Sequence, residues 1–297
     1  MLKWLLGIPY EVAFWDATYA NKKVLAKTLA FSHYGRELSL DGFDAAGFLL
    51  AQAQPEEAKI LDIGCGMTYM PGEFIVDEKG QQRQLNIHYI DPLANYYNDI
   101  AAKYHVQVPK VEFGMMEHLS AFYPEHDVTL ALIQNALDHS ANPVKGILEA
   151  LNALKKGGVL YLNHHPNEAE YENYRGFHQF NICIEHDKLI IWNREQRFNV
   201  NDIVKDFARV ETKMVEDNPI AILTKTAEVP ASLLDHEQDI RTLSTALIEL
   251  TRKMNDASFM RRYHRQYRFY RLAQKASKLF SWQTRQNIKK FIKKLKI

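Results

Sequence analysis

Glycines and an acidic residue follow directly on two short apolar segments of this sequence. The first segment is followed by Gly64-Cys65-Gly66, and the second ends in Asp91-Pro92. Glycines at the end of a buried strand let a ligand approach the backbone closely, because they carry no Cβ atom. A carboxylate such as that of Asp91 can accept both hydroxyl hydrogen bonds of a ribose. The two segments together predict a site for a nucleoside-like ligand.

Two later segments extend this pattern of residues at strand ends. Met116-Glu117 follows the predicted third strand of the sheet, where apolar side chains can flank an adenine ring. The strand 127–133 is followed by Gln134-Asn135, whose amides can hold the polar end of an amino acid. Each feature alone is also common without a ligand, since methionines often fill cores. Together these features indicate a ligand site, because ligands of open α/β sheets bind beyond the carboxyl ends of the strands.

The elements that must position these residues alternate between strands and helices. Apolar runs predict strands at 58–63, 86–91, 127–133 and 158–163, and an apolar stripe predicts a helix over 93–104. Asn142-Pro143 predicts the start of another helix that runs to Lys156, with Gly157 as its cap. Later segments predict a hairpin over 181–193 and an antiparallel pair, 208–215 and 220–224. The predicted fold is α/β: a Rossmann-like, doubly wound, mostly parallel sheet of seven strands with helical N-terminal and C-terminal extensions.

Three regions follow from this organisation. We expect residues 1–55 to form a helical lid or substrate region, residues 56–228 the ligand-binding domain, and residues 229–297 a basic helical extension. The charge is divided in the same way. Residues 251–297 contain 15 Lys or Arg and one acidic residue, Asp256, whereas the rest of the chain carries a net charge of −13. A basic segment of this kind indicates an anionic partner.

The span from Ile60 to Lys225 resembles the class I S-adenosylmethionine-dependent methyltransferases. Residues 61–66 resemble the first motif of that family, residues 135–139 its loop after the fourth strand, and residues 154–160 the start of its fifth strand, with Lys156 in place of the usual proline. The resemblance implies S-adenosyl-L-methionine as the cofactor. The cofactor-binding residues that it implies are Asp62, Gly64, Cys65, Gly66, Asp91, Pro92, Met116, Glu117 and Asn135.

A narrower resemblance concerns the acceptor. Residues 90–94, 135–139, 167–168 and 176–181, with 11–15 near the start, are similar to segments of bacterial methyltransferases that accompany surface-polysaccharide assembly. This resemblance implies O-methylation of a glycan, a glycolipid or a sugar phosphate. An RNA methyltransferase that grips phosphates with the basic extension is an alternative, although no RNA-binding module is recognisable. A catalytically silent, cofactor-binding scaffold is another.

Histidines on the loops after the fourth and fifth strands are the candidates for chemistry. An alcohol acceptor benefits from a general base, whereas a phosphate or carboxylate oxygen does not need one. The candidate catalytic residues are Asp138, His139 and His165, and the candidate substrate-binding residues are Trp15, His164, Tyr174 and His178. The competing interpretation is that these histidines only cap or line loops.

Two other kinds of site are disfavoured by spacing. A dinucleotide fingerprint needs a third glycine where Tyr69 stands, and Asp91 follows Gly64 by 27 positions instead of about 20. The spacing of His164, His165 and His178 matches no zinc pattern, so the sequence predicts no metal site.

Composition and the basic extension bear on location. The two cysteines fit a reducing compartment, and no run of 18 apolar residues predicts a membrane span. In residues 287–297, apolar side chains share one helical face among lysines, a pattern that suits an anionic membrane surface. We therefore expect a cytoplasmic protein whose tail attaches to the inner face of the membrane, binds RNA, or docks on the protein body. The sequence leaves the oligomeric state open.

Overall fold

The structure is a computed structural model that describes residues 2–32, 35–52, 54–69, 71–174, 176–234 and 256–276. Its α-helices are α1 (Leu2–Tyr19), α2 (Lys22–Phe31), α3 (Ala45–Leu50), α4 (Ala94–Lys103), α5 (Pro143–Ala153), α6 (Glu168–Tyr171), α7 (Val200–Val204) and α8 (Ala257–Ala276). Its strands are β1 (Lys59–Ile63), β2 (Phe74–Val76), β3 (Gln82–Gln84), β4 (Asn86–Asp91), β5 (Glu112–Phe113), β6 (Val128–Gln134), β7 (Leu154–Asn163), β8 (Asn181–Glu185), β9 (Lys188–Trp192), β10 (Arg197–Asn199), β11 (Ala208–Val215) and β12 (Asn218–Lys225).

Seven of these strands form the central sheet, in the order β11-β12-β7-β6-β1-β4-β5. The pairs from β7 to β5 are parallel, whereas β12 is antiparallel to β7 and β11 is antiparallel to β12. The predicted seven-stranded, mostly parallel sheet is therefore confirmed. Strands β8, β9 and β10 form a separate small sheet, and β2 and β3 form a hairpin.

The sheet is buried on both faces, which explains the continuous apolar runs of its strands. In β6, Ala131 and Ile133 pack into one apolar cluster, and Leu130 and Leu132 pack into another on the opposite face. Each of these four side chains is completely buried. Parallel sheets that are covered on both faces show such runs instead of alternation.

The predicted strand 158–163 begins earlier than the sequence indicates. The helix that Asn142 caps ends at Ala153, and Leu154 is already extended and paired with Val128 of β6. Burial of the Leu154 side chain in the core offsets the helix-forming tendency of the lysines that follow. Gly157, with φ of +81°, lies in an irregular part of β7. The prediction that the helix extends to Lys156 with Gly157 as its cap was wrong.

Helix α8 belongs to the folded body, because it packs along α1. The connection centres on Asp16 of α1, whose side chain is 3% exposed. Its carboxylate accepts hydrogen bonds from Lys103 Nζ at 2.9 Å, from Tyr104 Oη at 2.6 Å and from the Tyr263 hydroxyl of α8. The predicted amphipathic tail, 287–297, lies outside the described residues. In the described part of the chain, no helix combines the length and apolarity needed to cross a membrane.

Candidate cofactor and substrate site

A cavity of about 560 Å³ lies at the carboxyl ends of the central strands. This is where the strand order reverses, since β1 leads to β4 on one side and lies beside β6 on the other. The described residues of its wall are Glu11, Trp15, Asp41, Gly64, Cys65, Gly66, Thr68, Asp91, Pro92, Leu93, Tyr97, Gly114, Met115, Met116, Glu117, Gln134, Asn135, Ala136, His139, Ser140, Ala141, Asn163, His165, Phe177 and Asn218. Eight of the nine residues that the sequence assigned to a cofactor therefore lie on one wall.

The loop after β1 is held close to β4 on one side and to the loop after β6 on the other. The backbone N–H groups of Gly64 and Cys65 donate to the carbonyl of Ile90, at 2.8 and 3.2 Å. Gly64 has φ of +69°, and a Cβ atom there would lie 2.5 Å from the Cβ of Ala136. Glycine is therefore required at this position by packing as well as by backbone conformation. Burial raises the pKa of the Cys65 thiol well above its ordinary value, which argues against a nucleophilic role.

Asp91 reaches the cavity from the end of β4 and is oriented by the backbone. Its Oδ2 accepts from Gly66 N at 3.2 Å, and its Oδ1 accepts from Leu93 N at 2.8 Å. Each carboxylate oxygen has a second lone pair, so both hydroxyls of a ribose can still be bound. Burial raises the pKa of Asp91 to about 7, although the two backbone hydrogen bonds oppose this change.

Asp62 is the one predicted cofactor residue outside the wall. It lies within β1, is 2% exposed, and its Oδ2 finds no hydrogen-bond donor among the described residues. Burial, reinforced by the charge of Asp91, raises its pKa to about 7.

The predicted adenine-flanking segment divides into an apolar part and a structural part. Met115 and Met116 present apolar surface to the cavity. Glu117 also lines it, but its Oε1 accepts from the backbone N–H groups of Ala141, at 2.8 Å, and Asn142, at 3.2 Å. Glu117 thereby braces the loop that follows β6 against this segment.

Another part of the cavity wall is polar. Asn135 Oδ1 accepts from the backbone N–H of His165 at 2.8 Å, which ties the loop after β6 to the loop after β7. His165 is exposed, and its Nδ1 lies 3.2 Å from Oδ1 of Asn218. Sequence reasoning missed Asp41, Asn163 and Asn218 on this wall. The strand-end rule could have found Asn163, the last residue of β7, whereas no sequence signal marks Asp41.

His139 lies on the wall in front of two further polar side chains. Its Nε2 is 3.2 Å from His178 Nδ1 and 3.4 Å from Asp138 Oδ2, and His178 Nδ1 is 2.7 Å from the same carboxylate oxygen. Burial alone would raise the pKa of Asp138, but His139 and His178 hold it below its ordinary value. Burial alone would lower the pKa of His178, but Asp138 raises it. The structure thus groups His178 with Asp138 and His139, not with His164 and His165.

Of the residues that the sequence assigned to substrate binding, Trp15 lies on the cavity wall, whereas His164 and Tyr174 do not. His164 is 1% exposed and off the described wall, and burial lowers its pKa to about 4, so it is neutral near pH 7. Tyr174 is also off this wall, because its hydroxyl accepts from Asn181 Nδ2 at 2.9 Å and its ring packs against the Arg194 guanidinium. Trp15 is on the wall, where its ring lies against Gly66.

Comparisons with known proteins add a likeness of fold. A search with protein-family models and a search of curated proteins each find no match. Among solved structures, a methyltransferase in complex with the Haloferax volcanii Trm112 activator is 13% identical, with 62% of this chain and 89% of that chain covered and a TM-score of 0.40. An S-adenosylmethionine-dependent methyltransferase from Clostridium acetobutylicum is 12% identical, with 61% and 91% covered and a TM-score of 0.35. One from Aquifex aeolicus is 18% identical, with 57% and 82% covered and a TM-score of 0.35. At this level of similarity, the function of the present chain has to be inferred from its own residues.

Proposed function

We propose that this protein is an S-adenosylmethionine-dependent methyltransferase. The observation that carries the proposal is the convergence of Gly64-Cys65-Gly66, Asp91 and Met115-Met116 on one cavity wall. A glycine loop, a backbone-oriented carboxylate and an apolar strip are what the methionine, ribose and adenine parts of this cofactor each require. When bound, the cofactor supplies a methyl group on a sulfonium, which is a good leaving centre.

The chain's own residues fit this cofactor chemically. Asp91 binds the ribose hydroxyls, and Met115 and Met116 flank the base. The unpartnered Oδ2 of Asp62, in the strand that leads into the glycine loop, favours a cationic amino group nearby. Trp15, held by a 2.7 Å hydrogen bond from its Nε1 to Glu11 Oε1, covers Gly66.

The polar part of the cavity wall suits a neutral hydroxyl acceptor. Asp41, Asn163 and Asn218 offer acceptors and amide donors of the kind that grip sugar hydroxyls. The described part of the wall contains no Lys or Arg to neutralise a phosphate. A glycan or glycolipid hydroxyl is therefore favoured over a sugar phosphate, and over the phosphate backbone of RNA.

An alcohol acceptor must lose a proton, and His165 is the base that we propose for this step. Its ring lies on the polar part of the cavity wall, and Asn218 fixes its orientation through Nδ1. The remaining ring nitrogen is then left for the acceptor hydroxyl. Imidazole is the side chain that most often serves as a general base.

Helix α8 supports attachment to an anionic membrane that carries a lipid-linked acceptor. Residues 257–276 contain six Arg or Lys and no acidic residue. The outward side chains include Arg261, Arg265 and Arg268, with Phe269 and Leu272 61% and 65% exposed. A basic helical face with exposed apolar side chains is typical of binding in the plane of a membrane interface.

Calorimetry with S-adenosylmethionine tests the cofactor assignment. Replacing Asp91→Ala should weaken binding about ten- to a hundredfold, because hydrogen bonds to a charged group contribute roughly 1.5–3 kcal/mol. The matched control is Asp99→Ala, which removes an exposed acid from the helix that follows. Unchanged affinity in a folded Asp91→Ala protein, or saturable binding of a nicotinamide dinucleotide instead, contradicts the proposal.

Transfer of a labelled methyl group into separated polysaccharide, lipid, RNA and protein fractions tests the acceptor. Label in polysaccharide or lipid is expected. Label in RNA alone favours the RNA methyltransferase, and cofactor binding with no transfer to any fraction favours the silent scaffold.

A further inference from the structure

Three potential metal-ligand atoms converge beside the cavity. Asp138 and His139 follow β6, whereas His178 comes from the segment before β8, so only the tertiary fold brings them together. The atoms that meet are Asp138 Oδ2, His139 Nε2 and His178 Nδ1, separated from one another by 2.7, 3.2 and 3.4 Å. Two ligand atoms bound to one zinc ion at 2.0–2.1 Å lie about 2.9–3.4 Å apart for bond angles of 90–110°. The triangle therefore has nearly the size that one ion requires.

A cation suits this arrangement at least as well as protons do. The carboxylate oxygen can only accept, and each ring nitrogen either donates or accepts. If His178 Nδ1 donates to Asp138, an unprotonated His139 Nε2 turns its lone pair toward the same carboxylate oxygen. If both nitrogens are protonated, both N–H groups can donate to Asp138 Oδ2, at 2.7 Å from His178 Nδ1 and 3.4 Å from His139 Nε2, which leaves two donors side by side with their nitrogens 3.2 Å apart. A cation between the three atoms makes all three lone pairs favourable at once.

A second observation at Asp138 points in the same direction. Its side chain is 4% exposed, and its Oδ1 has no hydrogen-bond donor among the described residues. A buried carboxylate normally has its oxygens paired, because an unpaired one loses its hydration without replacement. The side chains of His139 and His178 are 27% and 25% exposed, so one side of the triangle remains open.

We propose that Asp138, His139 and His178 bind a divalent transition metal ion of the zinc class. Two imidazoles and one carboxylate are a ligand set that such ions take in sites that keep positions open for water or substrate. The proposed metal site rests on this geometry and does not depend on the proposed function. Its use in catalysis rests on the proposed function: because His139 lies on the cavity wall, the open positions are placed to bind an acceptor oxygen and orient it.

Titration of tag-free, full-length protein with Co²⁺, followed by visible absorption, tests the site independently of methyl transfer. We expect one Co²⁺ per chain, displaced by one Zn²⁺. Replacing His139→Ala or His178→Ala should weaken Co²⁺ binding by at least about a hundredfold, since even loss of a residue that only supports a ligand costs 10–100-fold. His264→Ala, which removes an exposed histidine from α8, is the matched control and should bind as the original protein does.

Circular dichroism establishes that each variant is folded, and His178→Gln serves if the alanine variant is not. Zn²⁺ should raise the melting temperature of the original protein and of His264→Ala, but not of the ligand variants. No saturable binding in the original protein, or equal binding in all variants, overturns the site. Calorimetry with S-adenosylmethionine on metal-free protein separates the two proposals, because metal binding without cofactor binding leaves this site standing and refutes the methyltransferase.

Discussion

At the scale of single residues, two buried carboxyl groups near the cavity lower the stability of the folded protein. Asp62 and Asp91 are 2% and 7% exposed, and no ion pair joins either to a Lys or Arg in the described ranges. Burial raises the pKa of each to about 7. Carboxyl groups kept in such surroundings are typical of functional sites, where a ligand supplies the missing partner.

We expect Asp62→Asn to stabilise the protein at alkaline pH. With a raised pKa, the folded state holds a proton that the unfolded state has released, so stability falls as the pH rises from about 4 to 7. Asn resembles the protonated acid and removes this loss. Urea unfolding should show little difference at pH 4 and a gain approaching about 4 kcal/mol at pH 8.

The same variant should bind S-adenosylmethionine more weakly, because it lacks the charge for the cofactor's amino group. Asp99→Asn, at an exposed site, is the control for the loss of one charge. Equal or lower stability of Asp62→Asn at pH 8 contradicts the prediction.

At the scale of elements, the site depends on how closely the loops after β1 and β6 approach each other. Gly64 and Ala136 leave no room for a further methyl group. The loop after β6 is fixed in turn by Glu117 and by the contact of Asn135 with His165. The wall is therefore built from loops that support one another.

Gly64→Ala should separate these two loops. It adds a 2.5 Å contact with Ala136 to the strain of a non-glycine residue at positive φ. Gly80→Ala is the matched control, since Gly80 has φ of +75° and a methyl group added there would have no neighbour within 4 Å. Gly80→Ala should cost about 1 kcal/mol in urea unfolding, and Gly64→Ala clearly more. Cofactor affinity should fall for Gly64→Ala alone, and equal behaviour of the two variants contradicts this account.

At the scale of the whole molecule, helix α8 packs onto the N-terminal helix α1. Helix α8 places its inner side on α1, where Tyr263 reaches Asp16, and its buried Phe259 stacks on Tyr96 of α4. Its basic outer side faces away from the body. Residues 256–276 therefore dock on the body and also present a charged surface.

Co-sedimentation with vesicles tests the membrane proposal. Full-length protein should bind vesicles that contain phosphatidylserine, less so as salt increases, and should not bind neutral vesicles. Replacing Arg261, Arg265 and Arg268 by Glu should lower binding by at least about a hundredfold, since each base contributes about 1 kcal/mol. The control replaces Lys156, Lys188 and Lys205 by Glu, which makes the same charge change at exposed sites elsewhere. Equal loss in both proteins, or binding to RNA but not to vesicles, contradicts membrane attachment.

The sequence by itself determined the central strands, the helix that begins at Asn142-Pro143, and the arrangement of Gly64, Asp91 and Met116 at successive strand ends. These features are local, because apolar runs, caps and glycine turns act within a few residues. The tertiary structure alone decided that the helix stops at Ala153, because pairing with β6 and burial of Leu154 outweigh local propensity. It alone brought His178 to Asp138, forty positions away, and Asp41 to the cavity. Contacts between distant segments follow from how the sheet and its covering layers pack, and no spacing in the sequence encodes them.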